Sequence, residues 1–308
     1  MIGNNIQHDH PVRDEVDLVE LWNVLWKSKL TVICITLAFS IASIFYAFTQ
    51  TEIYRSEALL APADSKQSTN SLLSQFGSAA EFVGVSVPNQ KGERIVMAIA
   101  MMNSREFLRN FIVRHDLLVP LFANSWSSAE GRAVINPSIF NETTQSWVGE
   151  KPSEGDAIER FRRILSITQN TDTSLITVAI NWFDPTLAQQ WLSWLIADIN
   201  KLIKQQDLEE ANNAIEYLSE QLNTTQLVEM QRVFYQLIES QMQIAMLADA
   251  REDYVLKVID PAYVPEEYVS PNKGVVVITG TLLGLLLSIL LVILNEAKTR
   301  RKGSAVNL

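Results

Sequence analysis

Residues 275–294 read VVVITGTLLGLLLSILLVIL, a run without one charged side chain. An apolar helix of about 20 residues matches the hydrocarbon thickness of a bilayer, where every backbone polar group has to be paired within the segment. A second run of the same kind, LTVICITLAFSIASIFYAF, occupies 30–48. Together they predict two membrane spans, 30–48 and 274–294, holding the 225 residues 49–273 on one side of a membrane, with tails at 1–29 and 295–308. Within the second span Gly280 and Gly284 form a small-xxx-small face that admits close approach of another helix. They are the candidate transmembrane packing residues, and the sequence leaves their partner open.

The flanks orient the pair. Arg13, Lys27 and Lys29 precede the first span, and Lys298, Arg300, Arg301 and Lys302 follow the second. Positive charge is retained on the cytoplasmic side, so both termini are expected inside and the long loop outside. The first run is too long for a cleaved leader, and no small-x-small site follows it before Gln50-Thr51-Glu52.

Charge and cysteine content narrow the chemistry. The loop carries 29 Asp and Glu against 18 Lys and Arg, so it supplies the acidic excess of the chain, whose net charge is −10. Such a surface argues against nucleic acid or another polyanion as a bulk electrostatic partner. The one cysteine, Cys34, lies in the first span, so the loop must be stable without disulfides. Three histidines, His8, His10 and His115, show no metal-ligand spacing, and the pairs Glu209-Glu210 and Glu266-Glu267 read as solvated faces. No catalytic set, metal site or cofactor is expected.

Ahead of the first span, DEVDLVELWNVLWKSK (14–29) places apolar residues at helical spacing, with acids at its start where the helix dipole favours them. Leu21, Trp22, Trp26 and Lys27 are the candidate interfacial residues of an amphipathic helix on the cytoplasmic face. Beyond the span, residues 52–61 (EIYRSEALLA) predict a strand, and 64–88 an irregular segment rich in Ser, Asn, Gly and Ala. Residues 93–118 predict one helix with Ile95, Ile99, Met102, Phe107, Phe111 and Leu117 on its apolar side. A Ser/Asn/Pro-rich connector leads to a second helix at 156–167, with Arg160, Arg162 and Arg163 on one side, and to a strand at 174–182. Those arginines could serve a phosphate or a sugar acid, but no glycine-rich phosphate loop accompanies them, and a solvated face explains them more simply.

Asp184-Pro185 is a helix start, with an acid at the cap and proline at the first position. From Thr186 to Asp260 there is then no glycine and no proline. Apolar residues at three and four spacing predict an amphipathic rod over about 185–252, roughly 100 Å long if continuous, with a weak point at Asn223-Thr224-Thr225. Ile215, Leu218, Leu222, Met230, Val233 and Leu237 are its candidate oligomer and length-control residues. A lone rod cannot cover its own stripe, so self-association is expected. The chain returns through a candidate strand at 253–260 into a stiff stretch punctuated by Pro261, Pro265 and Pro271. The fold class expected is an α+β membrane protein: two transmembrane helices flanking an α/β base domain with a very long extended helix.

The lead-in at 14–29, the block VFYQLIESQMQIAMLADAREDYVLKVIDPAYVPEEYVSPNKG at 233–274 and the glycine-containing second span resemble the polysaccharide chain-length determinants, or Wzz-type polysaccharide co-polymerases. The segment LLSQFGSAAEFVGVSV at 72–87 is also similar to that family. The resemblance makes Pro261, Pro265, Pro271 and Lys273 a candidate membrane-proximal motif. It implies a non-catalytic homo-oligomer in the bacterial inner membrane, with its main domain in the periplasm. Its implied role is to set the modal length of a polysaccharide, in this subclass lipopolysaccharide O-antigen, made by a separate inner-membrane polymerase on an undecaprenyl pyrophosphate carrier. The lipid-linked glycan itself is a further partner to consider.

Two other readings compete. One is an exopolysaccharide or capsule co-polymerase working with a separately encoded kinase, since residues 295–308 hold neither a phosphate loop nor a tyrosine. The other is a two-span receptor, for which those residues offer no output domain.

Overall fold

The computed structural model describes residues 26–63, 90–127 and 132–306, which form two compact units. The predicted interfacial residues Leu21 and Trp22, and the irregular segment 64–88, lie outside the described residues. The first unit contains the two apolar helices, beginning with α1 (Lys29–Thr49). The second, 52–269, is an antiparallel sheet covered by helices, with a helical hairpin growing out of it.

After β1 (Ile53–Pro62) come three helices where one was expected over 93–118: α2 (Gln90–Met102), α3 (Arg105–Arg114) and α4 (Leu118–Phe122). The reason is local. Ser104 leaves the helical region and its hydroxyl accepts the Phe107 amide at 3.2 Å, which starts a new helix. At the far end of α3, Asp116 adopts φ of 50°, with the Leu117 amide donating to Ile112 O and the Asp116 amide to Val113 O. That is a Schellman closure with aspartate where glycine is usual.

Two small hairpins replace the expected connector, β2 (Asn124–Ser127) with β3 (Arg132–Ile135) and β4 (Phe140–Asn141) with β5 (Ser146–Trp147). Next, α5 (Glu154–Ile164) opens on a reciprocal capping box between Ser153 and Asp156. Those hydrogen bonds hold the Asp156 carboxyl below its usual range. The helix predicted to 167 stops at 164, because Leu165–Gln169 forms β6 and pairs with β7 (Ile176–Trp182). Pairing with a buried strand outweighs helix propensity here.

The sheet runs β6-β7-β1 and continues to β8 (Leu256–Asp260), while β9 (Tyr268–Ser270) also pairs with β1. Register sets Ser56 beside Ile180, Ala58 beside Val178 and Leu60 beside Ile176, and all six are buried. Period-two alternation thus gives β1 one dry face. Against the sheet packs the first half of α6 (Pro185–Thr224), through Trp191, Leu195 and Ile199. Asp184 caps it as predicted, accepting the amides of Thr186 and Leu187 at 2.9 and 3.0 Å. Phe111, Phe161, Trp182 and Trp191 form a connected aromatic cluster in this core. Burying each such side chain contributes about 1.5–3 kcal/mol.

The rod is not continuous. It breaks at 225–227, and α7 (Val228–Ala250) folds back along the outer half of α6, so that Lys204 Nζ donates to Asp249 O at 3.2 Å and Arg251 O at 3.4 Å. The very long helix of the expected fold class is α6, 40 residues and about 60 Å. The 100 Å rod is corrected to a hairpin. Thr225, extended at the C-cap, is where the helix stops, and reversal lets α7 bury one face at once.

The last element, α8 (Lys273–Val306), belongs with α1. Within these two, 29–49 and 273–295 are long and apolar enough to cross a membrane.

Candidate functional site

In the first unit, α1 and α8 pack on each other along the glycine face. A Cβ on Gly280 would overlap the side chain of Ser43, and one on Gly284 would lie 2.5 Å from Phe39 Cβ. The partner helix that the sequence left open is therefore the chain's own first span. Polar contacts reinforce the seam: Ser43 Oγ donates to Val276 O at 2.9 Å, and the hydroxyls of Thr36 and buried Ser288 lie 3.5 Å apart. In hydrocarbon such packing has to come from close contact and interhelical hydrogen bonds, because lipid offers as much apolar surface as a neighbouring helix. At the end of the seam Lys273 Nζ stands 5.1 Å over the Phe48 ring. Trp26 is exposed, with Lys29 Nζ 5.3 Å over its ring, and Lys27 is exposed beside it.

The helical hairpin presents two different apolar surfaces. Ala211, Ile215, Leu218 and Leu222 of α6 are buried or half-buried, and so are Phe234, Ile238, Ala245 and Ala248 of α7. The α7 positions repeat at 4, 7 and 3 residues, a narrow seam of coiled-coil type that fits an antiparallel helix pair. Met230, Val233 and Leu237 are not in that seam. They stand 45–46% exposed on other faces of α7, with Tyr235, Met242 and Met246 also open. The six candidate rod residues thus divide, three inside the hairpin and three outside.

At the root of the hairpin three segments are tied together. The Tyr254 hydroxyl donates to Asp207 Oδ2 at 2.6 Å, the Arg94 guanidinium pairs with the same oxygen, and Arg94 also lies 5.3 Å over the Tyr254 ring. Burial, seconded by the bond to Asp207, raises the Tyr254 phenol above its usual value. For Arg94, burial alone would act downward, but hydrogen bonding to Tyr254 and the charge of Asp207 outweigh it, and its pKa is raised. Just below, the buried Asn200 amide accepts the amides of Val255 and Leu256 and donates to Leu256 O. A lone asparagine on an otherwise apolar helix face was the only signal of this clamp in the sequence.

The remaining sequence candidates fall into structural roles. Arg160 lies 4.9 Å over the Phe122 ring, Arg162 donates to Asn103 O at 2.7 Å, and Arg163 to Glu159 O. The three do not converge on one point for an anion. His115 stacks on Trp194 at 4.4 Å and meets Asp198, which also pairs with Arg114. Among the described residues no group of three or more His, Cys, Asp or Glu could hold a metal ion. Pro265 and Pro271 are buried, Pro261 is exposed, and the Ser270–Pro271 bond is cis.

An α+β domain carried between two apolar helices that pack on each other defines a two-span membrane protein with a structured loop domain. Residues 14–115 match the family model described as "Wzz: Chain length determinant protein", and residues 219–297 match "GNVR: G-rich domain on putative tyrosine kinase". The first match takes in part of the base and the second takes in the hairpin end and the second span, so the chain carries a Wzz-type chain length determinant segment followed by a GNVR segment.

Among solved structures the chain is similar to one described as "full-length bacterial polysaccharide co-polymerase", at 14% identity and TM-score 0.45, covering 92% of this chain and 99% of that one. It is also similar to a "Fragment of WzzB, Polysaccharide Co-polymerase from Salmonella Typhimurium", at 15% identity and TM-score 0.30, covering 71% of this chain and 100% of that one. No curated protein matches.

Proposed function

We propose that the chain sets the modal length of a surface polysaccharide, O-antigen in the first instance, as a non-catalytic homo-oligomer working beside a separate inner-membrane polymerase. The observation that carries this reading is the second apolar surface of α7. A helix in water that has already buried one seam gains nothing from Met230, Val233 and Leu237, which share one side of α7, unless another surface covers them, and a neighbouring copy brings the same stripe.

The matched family model supports the process, length control, and the exposed side of α7 supports assembly of a scaffold. Basic flanks support an orientation with both termini in the cytoplasm and the domain 52–269 in the periplasm. The test is complementation of a strain lacking the gene, read as the length distribution of its polysaccharide. A clustered distribution that returns with the gene supports the proposal. A receptor would leave lengths unaltered.

A further inference from the structure

A cavity of about 310 Å³ opens on the 52–269 unit between α3, the turn after it and the segment following β5. Its floor is aliphatic, from buried Ile112 with half-buried Leu118 and Val119, and half-buried Trp147 supplies an aromatic wall. The β4–β5 hairpin exists around that ring: Phe140 meets it edge to face at 5.2 Å, and the strand register places the two opposite each other. Charged groups of both signs stand at the rim. Arg109 Nε and Glu154 Oε2 are 3.9 Å apart across the opening, and Asp116 and Lys151 complete the set. An exposed pair at that distance contributes little to stability, so its groups are available to other partners.

We propose that this cavity is a subsite for one pyranose unit of the polysaccharide. The inference rests on the length-control reading and names where the glycan touches the protein. Sugar rings present an apolar C–H face and a periphery of hydroxyls that both donate and accept. An aromatic wall over an aliphatic floor suits the first, and two cations balanced by two carboxylates suit the second. A rim of one sign would instead select an ion, and an acyl chain would make no use of the four charged groups at its entrance. The volume sits at the lower end of the range for small-molecule sites, which fits a single ring gripped in passing rather than a length of polymer. Asp116 gains its place at the rim through the left-handed turn that closes α3.

The experiment uses the full chain in lipid nanodiscs, since a maltoside detergent would present its own sugar. The probe is the surface polysaccharide released by mild acid from the producing strain, titrated by calorimetry and saturation-transfer NMR. Native protein should bind saturably, Trp147→Ala about tenfold more weakly and Asp116→Gly about threefold more weakly. Asp116→Gly keeps the turn, because glycine adopts that backbone freely, so it decides the matter if Trp147→Ala loosens the hairpin. Absence of saturable binding by the native chain, or equal binding by the folded variants, overturns the subsite. The polysaccharide ladder separates the two levels. A native gene that restores length control while the binding test fails sinks the subsite alone, whereas a native gene that leaves the ladder unaltered sinks the function on which it rests.

Discussion

Gly284 lies so close to Phe39 that a Cβ at this position would come within 2.5 Å of the Cβ of Phe39. One turn away Gly280 meets Ser43 in the same manner, so the second span is shaped to its own first span. Hydroxyls of Thr36 and Ser288, 3.5 Å apart, mark the same interface farther along. In a Cys34→Ala background, Thr36→Cys with Ser288→Cys should therefore oxidise to an intramolecular disulfide, seen as a mobility shift reversed by reductant. Adding Gly280→Leu and Gly284→Leu should abolish that bond. Equal crosslinking with leucines present would show that the spans do not meet through the glycines.

The two faces of α7 predict opposite phenotypes. Val233→Asp with Leu237→Asp alters exposed positions and should lower the particle mass in light scattering while changing stability by no more than about 0.5 kcal/mol per site. Phe234→Ala or Ile238→Ala removes part of the seam against α6. Each should cost roughly 1–3 kcal/mol, less than a full core truncation because both positions are half-buried. Unchanged mass in the aspartate pair would remove the argument for assembly through this helix.

A pH dependence follows from the hairpin root. The Tyr254 phenol is raised above its ordinary value of 10.0, by burial first and the hydrogen bond to Asp207 second. A raised folded-state pKa gives stability that is complete below the unfolded value and is lost as pH climbs through the folded one. Thermal stability should consequently show no Tyr254-linked change near neutrality and a decline above about pH 10. Tyr254→Phe should make the alkaline decline shallower. An alkaline limb identical in both proteins would mean that the phenol is not linked to folding.

Much of the architecture could be read from residue order because it rests on local rules. Charge-free runs gave both spans, and the Asp184-Pro185 cap gave the start of α6 to the residue. The helix expected over 93–118 divided because a single serine, Ser104, found a better use as a cap, which periodicity does not register. Residues 165–169 became a strand because β7 lay beside them, a fact of tertiary pairing. The hairpin was hidden for another reason. With apolar residues on more than one face of α7, Met230 and Val233 look like core in a helical projection, and the reversal at 225–227 decides that Phe234 and Ile238 are buried instead. Gly280 and Gly284 were visible as a packing face, but which helix they meet is a matter of the whole chain. Trp147 gave no signal, since a tryptophan in a polar connector has no period.

The most direct measurement is the polysaccharide ladder of a gene-deleted strain carrying, in turn, an empty vector, the native gene, and the Val233→Asp, Leu237→Asp variant at matched protein levels. Control of length by an assembled scaffold predicts an unclustered ladder with the vector, a sharp modal cluster with the native gene, and loss or shortening of that cluster with the variant. A ladder that is the same in all three strains would contradict it.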